Sequence, residues 1–155
     1  MKSVILGLKI GTFMIVLAFS STAQTNYFES HQMIADSLED VYGIPSSVML
    51  SIAYHESAAG KSRVALLLNN HFGIKGSNDL MKTHGIKSAY KFFPSVTDSY
   101  IAFCEMQRKR SYFETHQCSE DSKAWVKAIA TSGYAGNATQ WSQHVFGVIQ
   151  KFELD

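Results

Sequence analysis

Ile44-Pro45-Ser46-Ser47-Val48-Met49-Leu50-Ser51-Ile52-Ala53-Tyr54-His55-Glu56-Ser57-Ala58-Ala59-Gly60 is the stretch that decides the fold. Lys61 to Leu68 and then Asn69-Asn70-His71-Phe72-Gly73-Ile74-Lys75-Gly76 follow it directly. Pro45 suits the first turn of a helix, where a missing N–H costs nothing, and Gly60 suits a left-handed stop. The spacing therefore predicts one helix between them. Along it Val48, Ile52 and Glu56 fall at i, i+4 and i+8, with Met49 and Ala53 beside them, so a carboxylate lies on the apolar stripe. Desolvation penalises the charged form of a carboxyl, which is the condition a general acid needs. In the purely structural reading, Glu56 is near enough to the helix end to reach water or to pair with Lys61 or Arg63.

Working outward, Thr25 or Asn26 is placed to cap a helix reaching Tyr42, with Ile34, Leu38 and Val41 on one stripe and Gly43 as its stop. His31 on that helix is expected to be solvated. The link Gly43-Ile44-Pro45 is short, which favours two packed neighbouring helices. Ser62 to Leu68 reads as a short helix, and Asn69-Asn70-His71 breaks it with residues that bond local backbone. From Phe72 to Phe93 helical spacing is lost and glycines punctuate short pieces, predicting a small antiparallel hairpin or irregular lobe. Ser95-x-x-Asp98 resembles a capping box with Asp for Glu and opens a helix to about Lys109 that buries Ile101, Phe103 or Cys104. Further helices are predicted from about Asp121 to Thr131, with Trp125, Ala128 and Ile129 inward, and from about Ala138 to Phe152. The second of these places Trp141, Val145, Val148, Ile149 and Phe152 on one core-facing stripe.

Glu56-Ser57-x-x-Gly60 with Ser62, followed by Asn69-Asn70-x-Phe72-Gly73-Ile74-Lys75-Gly76, resembles the glucosaminidase family of bacterial cell-wall hydrolases, glycoside hydrolase family 73. The resemblance implies an α+β fold, a mainly helical lysozyme-like domain with a small β lobe, acting on peptidoglycan glycan strands. It implies that Glu56 is the catalytic acid, protonating the oxygen between N-acetylglucosamine and the next sugar, and that Asn70, Phe72, Gly73 and Lys75 belong to the substrate-binding floor. Gly133-Tyr134-Ala135 resembles the family's Gly-Tyr-Ala motif, whose Tyr lies beside the acid. Tyr134 then either orients that acid or stabilises charge on the sugar ring, against the plain alternative of a Tyr packed at a helix end. Glycoside hydrolysis usually needs a second carboxyl group. The β-lobe stretch where the family carries one contains only Asp79, within the turn-like Ser77-Asn78-Asp79, and His84 is a further candidate. If neither serves, the substrate's acetamido group or a held water takes the role. Departures from the pattern are Ala59, where relatives often carry Trp, and Gly136-Asn137-Ala138 in place of Thr-Asp-Pro.

The chain has 155 residues, 46% of them apolar, enough for one domain with a core and too few for two. Lys2 and Lys9 precede an apolar run from Ile10 to Phe19, and Ser21-Thr22-Ala23 supplies small residues, which reads as a secretory signal over 1–23 cleaved after Ala23. Residues 24–155 then form the glucosaminidase-like domain, exported to the periplasm or the extracellular space, a monomer without stable membrane insertion. Removing Lys2 and Lys9 leaves 12 of the 14 basic residues against 13 acidic ones, and nothing points to nucleic acid. Cys104 and Cys118 leave open a disulfide or a buried free thiol, and match no metal or redox spacing. Arg108-Lys109-Arg110 is read as a solvated basic run, with anionic wall polymers as the alternative contact. His55-Glu56 lacks the second His of a zinc-protease motif, since Ala59 stands there. No metal or organic cofactor is implied. Two other readings stay open: a muramidase or lytic transglycosylase on the same fold, and a non-catalytic peptidoglycan-binding protein.

Overall fold

The computed structural model describes the backbone from Val16 to Asp155 and side chains from Asn26 onward. Its helices are α1 (Val16–Tyr42), α2 (Ser46–Glu56), α3 (Arg63–Leu68), α4 (Leu80–His84), α5 (Val96–Arg108), α6 (Phe113–His116), α7 (Ser122–Ile129) and α8 (Ala138–Phe152). Helix α2 is the centre of the domain. Every residue from Ser47 to Ala53 is buried, on both faces of the helix, as a segment apolar all round requires. α1, α7 and α8 pack against it, and α5 lies against α1. The core so formed includes Tyr100, Phe103, Trp125, Val126 and Ile129, all fully buried. Val126 joins the inward face of α7 beside Trp125, whereas Ile101 on α5 is 36% exposed and Phe103 and Cys104 take the core positions.

Pro45 stands at the N-cap of α2. Its carbonyl accepts from the Val48 and Met49 amides at 3.0 and 3.2 Å. The Ser46 amide, which no helix carbonyl can satisfy, donates to Glu39 Oε2 of α1 at 2.9 Å. At the other end the structure departs from expectation: α2 stops at Glu56, four residues before Gly60. Ala58, Ala59 and Gly60 are three consecutive left-handed residues, with φ of 52°, 56° and 75°. The turn is held by the Ala59 amide on the Tyr54 carbonyl at 2.8 Å and by the Gly60 amide on Ser57 Oγ at 2.8 Å. A Cβ on Gly60 would lie 3.1 Å from the Tyr27 ring, so the turn presses on α1 where only glycine fits. Each left-handed alanine costs about 1–2 kcal/mol, and the result is that Glu56 ends its helix instead of being carried within it.

Two other expectations change. Over the described residues α1 already runs from Val16, upstream of the expected caps at Thr25 and Asn26, and no Gly or Pro interrupts the chain between Val16 and Tyr42. Positions 1–15 of the expected export signal lie outside the described residues, and over 16–23 only helical backbone is described. Between Phe72 and Phe93 no strand pair forms among the described residues. A single antiparallel bridge joins Lys75 to Tyr90, and α4 interrupts the segment. The expected small β lobe is irregular because asparagine side chains take the backbone partners a hairpin would use. Asn70 Nδ2 donates to the Ile74 and Lys91 carbonyls at 2.8 and 2.9 Å, and Asn78 Nδ2 to those of Ser88 and Tyr90 at 3.0 and 2.7 Å.

At Ser95 the expected box is modified. The hydroxyl accepts from the Asp98 amide at 3.2 Å and donates to Asp98 Oδ2 at 2.7 Å, since the shorter Asp bonds the cap's hydroxyl in place of its amide. α7 runs on through a wider turn over Ala130–Tyr134 that closes at Gly133, φ 87°. His31 is not solvated as expected: its ring stacks on Tyr27 with centroids 4.2 Å apart. Both cysteines are free thiols, Cys104 buried and Cys118 exposed. Among the described residues no helix is long and apolar enough to cross a membrane.

Candidate active site

Because α2 ends at Glu56, its carboxylate projects from the last helical turn toward the start of α8. There the side chain of Asn137 caps the helix by accepting from the Gln140 amide at 3.1 Å, fixing the first turn that carries Trp141. The indole N–H of Trp141 donates to Glu56 Oε1 at 2.7 Å, at the short end of the usual N–H···O range. The other oxygen, Oε2, has the Asn69–Gly76 loop beside it. A Cβ placed on Gly73 would lie 3.6 Å from Oε2, and Gly73 has φ 64°, so glycine lets the loop backbone run alongside the carboxyl. Glu56 itself is half-buried.

Glu56 opens into a cleft of about 440 Å³, lined by His55 from α2, by Tyr134 and Asn137 from the turn before α8, and by Gln140, Trp141 and His144 from α8. Tyr134 is brought to Glu56 but does not bond it. Its hydroxyl donates to the Phe72 carbonyl at 2.9 Å, joining the α7–α8 turn to the loop beside Gly73. The residue as a whole is half-buried. Burial, then the negative charge of Glu56, pushes the phenol well above its ordinary range, so it stays neutral and keeps its proton for Phe72.

The remaining expected site residues divide. Gly73 is at the carboxyl. Asn70 is 1% exposed, and its amide oxygen accepts from the Ile74 amide at 3.0 Å while its nitrogen is used twice, so it shapes the loop from within. Phe72 is 2% exposed and stacks on Phe103 with centroids 4.3 Å apart, supporting the loop from the core side. Lys75 is exposed on the lobe. Asp79 is exposed before α4 and lines a different hollow with Ser77, Asn78, Lys91 and Phe92. His84, at the end of α4, has Nδ1 at 2.7 Å from the neighbouring Thr83 hydroxyl. Among the described residues no carboxylate other than Glu56 lines the Glu56 cleft. Among the described residues no group of three or more His, Cys, Asp or Glu side chains is placed to hold a metal.

Trp141 is in the core as expected, at 8% exposed, and its bond to Glu56 is a further role that the stripe does not reveal, as are the cleft positions of Gln140, His55 and His144. His55 and His144 face one another across the cleft with ring centroids 5.4 Å apart, on helices brought together by tertiary packing. Trp141 did carry one signal: an indole N–H on a buried stripe needs an acceptor, and a partner acid was available in Glu56.

The glucosaminidase family model, described as mannosyl-glycoprotein endo-beta-N-acetylglucosaminidase, matches residues 32–154. The catalytic domain of the autolysin Auto from Listeria monocytogenes superposes with a TM-score of 0.71 at 19% identity, covering 94% of this chain and 98% of that one. A C-terminally truncated glycoside hydrolase domain of FlgJ from Salmonella typhimurium gives 0.68 at 14% identity, covering 84% of this chain and 97% of its own. A type VI secretion system effector-immunity complex from Pseudomonas protegens gives 0.62 at 22% identity, covering 86% and 96%. At these identities the likeness is one of fold. No curated protein is significantly similar to the chain in sequence.

Proposed function

The chain belongs to the glucosaminidase family, and we propose on that premise that it is an exported peptidoglycan hydrolase cutting the N-acetylglucosaminyl linkage, with Glu56 as general acid. The observation that carries this reading is the unequal state of the two Glu56 oxygens. Oε1 is held by the Trp141 indole at 2.7 Å, while Oε2 lies beside Gly73 with no hydrogen bond to the described residues. A carboxyl fixed through one oxygen presents the other as a proton donor of set direction, which positioned acid catalysis requires. Oε2 carries the proton to the bridging oxygen, the glycosidic bond breaks, and the sugar ring takes up oxocarbenium character. The neutral Tyr134 adds no charge and holds the Phe72–Gly73 backbone in place beneath the reacting sugar.

The second role does not fall to a carboxylate lining this cleft, since Asp79 lies in a separate hollow. The substrate's acetamido group, or a water among Asn137, Gln140 and His144, takes it instead. The same observation favours a second reading, a wall-binding module with the cleft but without turnover. Mass spectrometry of chain ends after digestion of purified peptidoglycan and borohydride reduction separates the cases. N-acetylglucosaminitol ends support the proposal, and muramitol or anhydromuramic ends identify a muramidase or a transglycosylase. Tight binding with no new ends at any pH supports the binding module.

A further inference from the structure

On the far side of the Ser57–Gly60 turn from the catalytic cleft, a hollow of about 370 Å³ lies between α1 and the loop that leaves α3. His31 and His71 both line it, forty residues apart in sequence, with ring centroids 5.0 Å apart. Each ring has its Nδ1 fixed by the same residue. His31 Nδ1 donates to the Tyr27 carbonyl at 2.6 Å, and His71 Nδ1 lies 2.9 Å from the Tyr27 hydroxyl. That leaves Nε2 of both rings without a hydrogen bond to the described residues, and no charged side chain among those residues lines the hollow.

We propose that His31 and His71 form a two-histidine site for a first-row divalent cation of the zinc or nickel type, bound through both Nε2 atoms. Metal-ligating histidines characteristically have the other ring nitrogen held by a backbone carbonyl or similar partner, the arrangement Tyr27 supplies here to two rings at once. Two imidazoles on a tetrahedral cation, at metal–nitrogen distances of about 2.0–2.1 Å, place their ring centres roughly 5 Å apart, which matches the observed separation. The electrostatics select a metal over an anion. Burial lowers the proton affinity of both rings, and for His71 the adjacent His31 lowers it further, so the pair presents neutral lone pairs in place of imidazolium charge. With no third His, Cys, Asp or Glu placed to join them, water completes the coordination, so the site is a moderate-affinity one. Its effect reaches the catalytic cleft because His71 is two residues from Gly73: a cation bridging α1 to this loop pins the backbone beside Glu56. The inference stands independently of the reaction proposed above.

The full chain, carried without a polyhistidine tag, is unfolded thermally with and without 1 mM zinc chloride, alongside His31→Gln and His144→Gln. Zinc raises the midpoint of the wild type and of His144→Gln by about 3–8 °C and leaves His31→Gln unmoved. Long-range proton–nitrogen NMR of the wild type gives a readout that needs no variant: zinc shifts Nε2 of His31 and His71. No rise with zinc, a rise undiminished in His31→Gln, or shifts confined to His55 and His144 would each overturn the assignment.

Discussion

The indole of Trp141, on α8, reaches Glu56 on α2 across 85 residues of sequence and binds its Oε1 at 2.7 Å. One consequence concerns the direction of the acid. Trp141→Phe retains most of the ring's packing but removes the only donor among the described residues on that oxygen. A hydrogen bond to a charged group contributes about 1.5–3 kcal/mol, so kcat on peptidoglycan falls roughly 10- to 100-fold with KM within about threefold. A rise in KM with kcat preserved would instead make Trp141 a substrate-binding face.

Asn70 is a loop anchor in the structure, with three side-chain bonds to the backbone of Ile74 and Lys91. Asn70→Ala removes those three part-buried bonds and lowers stability by about 2–4 kcal/mol in urea unfolding, since each lost bond costs of order 1 kcal/mol. If stability is unchanged while affinity for glycan fragments drops, the residue contacts substrate and the anchor role fails.

His71 predicts a pH dependence with a definite sign. Burial, and then the neighbouring His31, push its pKa down from 6.5 to about 4. The unfolded chain therefore binds the proton more readily than the folded one. Stability from this group is fully present above about pH 6.5 and is lost as pH falls toward 4, by on the order of 2–3 kcal/mol. Urea midpoints measured from pH 7.5 down to 4 should fall in the wild type and flatten in His71→Gln. Equal slopes in both would place the titrating group elsewhere.

Asp79 is exposed and lines a hollow apart from Glu56. Asp79→Asn is accordingly expected to keep peptidoglycan cleavage within about threefold of wild type, against the 10²- to 10⁴-fold typical of a missing acid or base. A loss on that larger scale, in a variant with unchanged melting, would mean that the lobe carries Asp79 to the cleft during turnover.

The helical frame was legible because its signals are local. Pro45, Ser62, Ser95, Asp121 and Ala138 mark starts that the structure places within a residue, and the stripe through Val145 and Ile149 marks the buried side of α8. The failures are non-local. Gly60 looked like a stop, but Ala58 and Ala59 turn left-handed before it, and Tyr27 of another helix closes on Gly60 itself. His31 looked solvated until Tyr27 and His71 closed around it. In the site, Glu56 and Gly73 could be read from adjoining motifs. Trp141 offered only an indole N–H in need of an acceptor and His144 no signal, because the contact that brings them to Glu56 and His55 exists only once α2 and α8 have packed.

The most direct test is peptidoglycan cleavage by the wild type and Glu56→Gln, both checked for the same melting temperature. Gln preserves the shape of the side chain and can still accept from Trp141, but it has no proton to give. The account predicts N-acetylglucosaminitol ends from the wild type and a loss of at least about 100-fold in the variant. Cleavage by Glu56→Gln at close to the wild-type rate would contradict it.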